Sequence, residues 1–303
     1  MAAIRRVTGA RPALDTGATQ GGVGAGAHDP AVIRAAELEL PDAWPDFALR
    51  RLGSFLRFAR TLLFGGRAVV LPAGFEAALP AYLLREFHRM PNGYYSHTLA
   101  EGYERGFERA MLGHVGAVRA WMAEQLAMSQ SVLDLGCGSG KVGGALAAIG
   151  VPDVWGIDAS AYQLRIAERD FPQLKLVQGL AEQMPFADAR FDGVAACFLM
   201  HELPAVVADS VLAEVHRVLR PGGRLVISEP SAEQLETRSL LQLWRRHGWR
   251  GVYFRVLALL VTEPYVEDWH GRDIAAWAEA HGFVVDHDES QLPFHRIVLR
   301  RRS

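Results

Sequence analysis

Cysteine is almost absent from this chain: Cys137 and Cys197 are the only two among 303 residues. They form no C-x-x-C pair, so neither a disulfide framework nor a thiolate metal cluster is expected, and the chain reads as one that works reduced, in the cytoplasm. An excess of charge of either sign is missing too. The 32 Lys and Arg nearly balance 34 Asp and Glu, giving a net charge of −2. That removes the concentrated basic face nucleic acid demands, and no nucleic-acid partner is expected. No apolar run reaches the ~18 residues that span a bilayer. The first thirty residues also lack the roughly 7–15 consecutive apolar residues of a secretory signal. Arg5, Arg6 and Arg11, followed by "TGATQGGVGAGAHD", are expected to be a disordered Gly- and Ala-rich leader over residues 1–45, with an Arg-rich, acid-poor transit peptide as the alternative.

What is present is enough apolar material, 50% of residues, to bury one sizeable core with appendages. Residues 46–128 read as a helical N-terminal segment. Leu52, Phe55, Leu56, Ala59, Leu62 and Leu63 recur at helical spacing, with Arg50, Arg51, Arg57 and Arg60 elsewhere on the wheel and no acid between 48 and 67. Such a helix is expected to lay its apolar side on the domain and leave its arginines in water; the alternative is peripheral membrane contact through residues 48–67. Helical periodicity continues through "AYLLREFHRM", breaks at "MPNG" and resumes in "YYSHTLAEGYERGFERAML".

From residue 131 the pattern alternates. "SVLDLG", "DVWGID", "LKLVQG", "FDGVAACF" and "PGGRLVISEP" read as strands, and helices between them are expected to about Ile149, over 161–170 and after 204. Alternation of this kind means a parallel sheet with helices on both faces. The end departs from it: after a helix over 272–281, "FVVDHDESQLPFHRIVLRR" holds two strands too close together to be anything but antiparallel. The expected architecture is a Rossmann-like α/β fold over residues 129–303, a mostly parallel sheet with an antiparallel end and a cap insertion near 231–270.

In such a sheet the ligand sits beyond the carboxyl ends of the strands, at the first strand–helix turn. There the glycines are Gly136, Gly138 and Gly140, and Lys141 stands where a pyrophosphate-cradling loop has its third spaced glycine. Asp158, closing the second strand, is placed to accept both hydroxyls of a ribose, which suits NAD as well as an adenosyl cofactor. Asp134 separates the two cases. A carboxylate at the mouth of the loop repels a pyrophosphate and favours the ammonium of a methionine moiety.

"VLDLGCGSG", "GIDAS", "GLAEQMPFADARFDGVAACFLMHEL" and "VLRPGGRLVISEP", in that order, resemble the successive motifs of class I S-adenosylmethionine-dependent methyltransferases, in particular the small-molecule group that includes quinone C-methyltransferases. The likeness covers about residues 115–300 and implies a seven-stranded sheet with the last strand antiparallel. By position it implies that Asp134, Gly136, Cys137 and Gly138 surround the methionine part of S-adenosyl-L-methionine and that Asp158 and Ala159 hold its ribose. Leu180, Ala181 and Glu182 would edge the adenine, with Cys197 and Phe198 beneath the cofactor. Leu180 stands where relatives often carry an acid. In related enzymes an N-terminal aromatic closes over the cofactor, and Tyr95 is the residue expected to do so here.

Methylation of an oxygen or carbon acid needs a proton removed. His201 and Glu229, following the fourth and fifth strands, are the expected catalytic residues; the structural alternatives are a helix cap for His201 and a loop anchor for Glu229. Trp249, Tyr253, Phe254 and Trp269 in the cap suit a hydrophobic small-molecule acceptor, although aromatics there also serve simply to pack the cap. The function expected is therefore methyl transfer, O- or C-directed, to such an acceptor. A non-catalytic S-adenosylmethionine-binding module is the second reading, and a nicotinamide oxidoreductase the third.

Overall fold

The computed structural model describes residues 51–64, 68–69, 71, 79–235, 239–261 and 263–303; the leader expected over residues 1–45 lies outside them. The N-terminal part supplies three helices, α1 (Leu52–Phe64), α2 (His97–Ala110) and α3 (His114–Gln125). Strands and helices then alternate through β1 (Ser131–Leu135), α4 (Lys141–Ala148), β2 (Asp153–Asp158), α5 (Ala161–Asp170), β3 (Lys175–Gln178), β4 (Phe191–Cys197), α6 (Ala205–Val218) and β5 (Leu219–Pro230). The cap follows as α7 (Leu240–Val261) and α8 (Val266–His270). The chain closes with α9 (Ile274–Ala280) and the hairpin of β6 (Phe283–Gln291) and β7 (Phe294–Arg301).

The strands form one seven-stranded sheet in the order β3-β2-β1-β4-β5-β7-β6. β1 runs parallel to β2 and β4, and β5 parallel to β4, whereas β7 is antiparallel to both β5 and β6. This is the expected Rossmann-like sheet with its antiparallel last strand. Because side chains alternate along a strand, Val132 and Leu133 face opposite layers. Val132, Val154, Leu176 and Val226 pack with Met122 of α3, Leu146 of α4 and Leu164 of α5. On the other side, Leu133, Ile157, Val194 and Ile227 pack with Val211 and Val215 of α6 and Trp277 of α9. A fully buried Val or Leu contributes about 1.5–3 kcal/mol relative to exposure, so the two layers bind the helices to both faces. Strand order reverses between β1 and β4, and a crevice opens there, outside the carboxyl ends of the strands.

Two sequence expectations are corrected. "AYLLREFHRM" is not helical: Arg85 pairs with Ala68 in an antiparallel bridge, and Phe87–Arg89 is a short 3-10 turn in which His88 and Arg89 adopt φ of 52° and 55°. A ten-residue helix is marginal by itself, and here its place is taken by tertiary bonds, with Glu86 Oε1 accepting from Arg57 Nη2 at 3.0 Å and from the Asn92 N–H at 3.2 Å. The second correction concerns α1. Its apolar residues Leu52, Phe55, Leu56 and Leu63 are exposed, while Ser54 and Thr61 are buried, so the helix lies on the protein by its polar side.

Candidate active site

The turn leaving β1 is shaped by three glycines at positive φ, Gly136 (64°), Gly138 (49°) and Gly140 (75°). At Gly136 the lack of a side chain is a packing requirement as well, because a Cβ would lie 2.8 Å from Leu199 Cδ1 in the segment after β4. At Gly138 a Cβ would meet nothing within 4 Å, so this backbone faces open space. Its N–H donates to Asp158 Oδ2 at 2.8 Å, and the Ser160 N–H donates to Oδ1 at 2.7 Å, which ties the loop to the end of β2. Asp134 accepts the Gly143 N–H at 2.7 Å through Oδ2, facing the first turn of α4. Burial raises both carboxyls. Asp134 is pushed up to about 7 despite the Gly143 N–H and nearby Arg119, and Asp158 to about 6 against its two backbone donors.

These groups open onto a cleft of about 1100 Å³, part of it solvent at the mouth. Of the residues expected at the cofactor, Asp134, Gly136, Cys137, Gly138, Asp158, Ala159, Leu180, Ala181, Cys197, Phe198 and Tyr95 line it. Glu182 does not; its Oε1 accepts from the Tyr82 hydroxyl at 2.7 Å, and Tyr82 stands in the wall instead. Phe198 leaves β4 with φ of 57° and packs edge-on to Phe107 at 5.1 Å. Arg119 of α3, a residue the motifs did not single out, also reaches the cleft. Its guanidinium pairs with Glu108, and it is near enough to Asp134 to favour the ionised carboxylate there. Two buried polar atoms in the lining, Ser139 Oγ and Gln163 Oε1, have no hydrogen-bond partner among the described residues. A polar ligand in the cleft would satisfy both, so this residue set fits S-adenosylmethionine.

His201 and Glu229 stand elsewhere. Both are fully buried and neither is in the cleft lining. Glu229 accepts the N–H groups of Leu199 (3.0 Å) and Met200 (2.8 Å) and bonds His201 Nδ1, so it fixes the turn after β4. The other ring nitrogen of His201 lies 3.1 Å from Glu263 Oε2. Burial alone would lower the His201 pKa, but Glu263 and Glu229 raise it well above the ordinary value. The two carboxylates thus favour the charged ring, which lies outside the cleft lining.

The ion pair extends toward the cleft. Glu263 Oε1 is 3.2 Å from His88 Nδ1, and His88 Nε2 is 2.8 Å from Glu202 Oε1. Glu202 also accepts the Tyr94 hydroxyl at 2.7 Å. Burial opposes a charge on His88, yet Glu202 and Glu263 lift its pKa to about 9. Burial and Glu202 push Tyr94 well above 10, which keeps it a donor. Glu202, Tyr94 and Tyr103 line the cleft. Three carboxylates and two imidazoles thus alternate from Glu229 to Glu202, and only the last faces the cavity. The positions of His88 and Glu263 carried no motif, and the chain brings them together only in three dimensions.

A parallel sheet with its crevice at the β1/β4 switch, a glycine turn, and an acid closing β2 define an α/β domain built around a nucleoside cofactor. Comparison with known proteins is consistent with that geometry. Residues 132–223 match the family model described as a methyltransferase domain. An uncharacterized methyltransferase of Synechocystis sp. is 45% identical over 102 residues, covering 33% of this chain and 48% of its own. A demethylmenaquinone methyltransferase of Chlorobaculum parvum is 37% identical over 153 residues, covering 50% and 61%. Among solved structures, a TehB-like S-adenosylmethionine-dependent methyltransferase from Corynebacterium glutamicum aligns with a TM-score of 0.47 at 19% identity, over 68% of this chain and 99% of that one. The chain spans about half the length of the first of these curated relatives and 61% of the second. By these likenesses residues 132–223 resemble a methyltransferase domain.

Proposed function

We propose that the protein transfers a methyl group to a hydrophobic small molecule bearing an acidic O–H or C–H, of the phenol, quinol or related type. The observation that carries this reading is the composition of the cleft. Its lining combines the polar groups Asp134, Arg119 and Asp158 with the aromatic rings of Tyr94, Tyr95, Tyr103, Phe107 and Phe198 and the carboxylate of Glu202. Aromatic walls take a flat apolar acceptor, and the carboxylate gives it one polar anchor. The relatives named for demethylmenaquinone methylation support the acceptor class.

S-adenosylmethionine, when bound, supplies a methyl activated by a sulfonium. The side chains do the rest. Asp134 would hold the ammonium and Arg119 the carboxylate of the methionine end, while Asp158 would take the ribose hydroxyls and Leu180 and Ala181 would flank the base. Glu202 would receive the acceptor's proton at its carboxylate. In the Glu229–His201–Glu263–His88–Glu202 array, three acids stand against two imidazoles, which leaves room for one proton. Protonated His88 and the Tyr94 hydroxyl fix Glu202 in place, and Glu229 acts as a positioning residue for the turn that carries it. Alignment of the acceptor with the departing sulfur, and exclusion of water by the aromatic wall, supply the larger part of the acceleration.

Calorimetric titration with S-adenosylmethionine and its demethylated product, followed by label transfer from the methyl to a panel of phenols and quinols, tests the reading. Binding with transfer to at least one of them is expected. Binding without turnover on any acceptor would favour the binding-module reading instead, and no binding would overturn both.

A further inference from the structure

Two described helices turn apolar side chains away from the protein. On α1, Leu52, Phe55, Leu56, Leu63 and Phe64 are 52–77% exposed. On α7, Leu243, Gly251 and Phe254 form the inner side, Phe254 seated with Val115, Val118 and Phe294. Trp244, Trp249, Leu259 and Leu260 of the same helix are 53–58% exposed. Scattered exposed leucines need no explanation, but two such stripes mark an interaction surface.

The charge on these helices says what covers them. Neither contains an Asp or Glu; α7 carries Arg245, Arg246, Arg250 and Arg255, whereas on α1 Arg57 is held by Glu86 and Asn92, which leaves Arg60. Beside α7 runs a groove lined by His114, His247, Arg250 and Arg296, in which Arg296 pairs with Glu289 at 2.7 Å and His247 stands 3.7 Å from Glu233. A second copy of the chain, meeting this surface with its own across a two-fold axis, would set arginines against arginines. A bilayer rich in anionic lipid offers the opposite charge together with an apolar layer just beneath it. Trp244 and Trp249 are of the type enriched at that boundary. No described helix is long and apolar enough to cross a membrane, so α1 and α7 would lie in the plane of the surface. Both also adjoin one segment of the cleft wall. Arg57 bonds Glu86 and Asn92, and Glu263, two residues beyond α7, holds His88; Tyr94 and Tyr95 follow in the lining.

We infer that α1 and α7 dock the protein onto an anionic lipid bilayer, their Leu, Phe and Trp side chains in the acyl boundary and the exposed Arg245 and Arg250 of α7 on headgroup phosphates. This holds whatever the methyl acceptor proves to be, and its test does not depend on turnover.

The full chain is sedimented with vesicles of phosphatidylglycerol mixed into phosphatidylcholine, and with phosphatidylcholine alone. Binding to the mixed vesicles that weakens as salt is added is expected. The double variant Arg245→Ser/Arg250→Ser should bind them roughly 25-fold more weakly, at about fivefold per arginine, and Trp249→Ser/Leu260→Ser should also lose binding. All four side chains are exposed, and unchanged calorimetric titration of S-adenosylmethionine would verify that each variant is folded. Failure of the unaltered protein to bind mixed vesicles would overturn the inference, as would binding that neither double variant weakens. So would a lipid-free dimer in sedimentation velocity that Trp249→Ser/Leu260→Ser converts to monomer, because the surface would then belong to a second copy.

Discussion

Asp134 shows how one side chain joins the fold to the chemistry. It is the fourth of five buried residues in β1, and its one hydrogen bond among the described residues, from the Gly143 N–H, leaves the other carboxyl oxygen for a ligand. With its pKa lifted to about 7 by burial, the group is ionised above neutrality and protonated below. A ligand that places an ammonium against it binds the ionised form, so affinity for S-adenosylmethionine should fall as pH drops through about 7. Asp134→Asn should lose about tenfold to a hundredfold in affinity and lose that limb of the pH profile, leaving the one near 6 that belongs to Asp158. Calorimetry across a pH series reads both effects; an Asn variant with the unaltered profile would remove Asp134 from the cofactor site. In the same cleft, Glu202→Gln keeps the shape and removes the base. A loss in kcat of about 10² with cofactor affinity unchanged is expected. If kcat holds and only the acceptor KM rises, Glu202 is an anchor and not a base.

At the scale of elements, α7 carries a sharp test of which face is which. Phe254 is 1% exposed and joins α7 to α3 and β7, whereas Leu259 on the same helix is 58% exposed. Phe254→Ala should cost about 3–5 kcal/mol, and Leu259→Ser should stay within about 0.5 kcal/mol, both read from urea unfolding. Equal losses would mean that the exposed stripe is packed in solution. The sequence expressed some elements far better than others. The parallel part of the sheet was readable because β1, β2 and β4 are short, mostly buried runs and Gly136 and Gly179 follow β1 and β3, and the bounds of α5 agree with the expected 161–170. The cofactor-facing loop was readable because its geometry is local: positive φ at glycines and acids at strand ends. The inward side of α1 was not, since periodicity locates an apolar stripe without saying what it meets. The same holds for the acid–base array. His88 lies in a segment with helical periodicity that does not fold as a helix, and Glu263 is brought to it across 175 residues by the cap, so no spacing rule could pair them. His201 and Glu229 stand out in the sequence because they follow strands, but periodicity does not show that both are buried outside the cleft lining.

Over the whole molecule, the buried titratable groups lean in one direction. Asp134 and Asp158 are raised to about 7 and 6, His88 to about 9, and His201 well above its ordinary value. A group whose pKa is higher folded than unfolded binds its proton more tightly in the folded state, so its stabilisation is full below the unfolded pKa and is lost as pH rises through the folded one. The two aspartates therefore lose their contribution between about 4 and 7, and the histidines lose theirs from about 6.5 upward through 9 for His88. Glu263, held low by its two imidazoles, works oppositely and loses its contribution only as pH falls below the usual carboxylate range. The ligand-free protein should accordingly melt highest near pH 5 and show a Tm that declines in two stages toward pH 10. Bound S-adenosylmethionine should offset the first stage alone, because its ammonium meets ionised Asp134 and its ribose hydroxyls ionised Asp158, and neither meets the histidines; the Tm increment it produces should grow from pH 6 to pH 8 and level off above. Melting curves with and without cofactor across that range provide the check. A Tm that rises from pH 6 to pH 9 without ligand would show that the Glu229-to-Glu202 array does not hold its imidazoles charged, and the assignment of Glu202 as proton acceptor would fall with it.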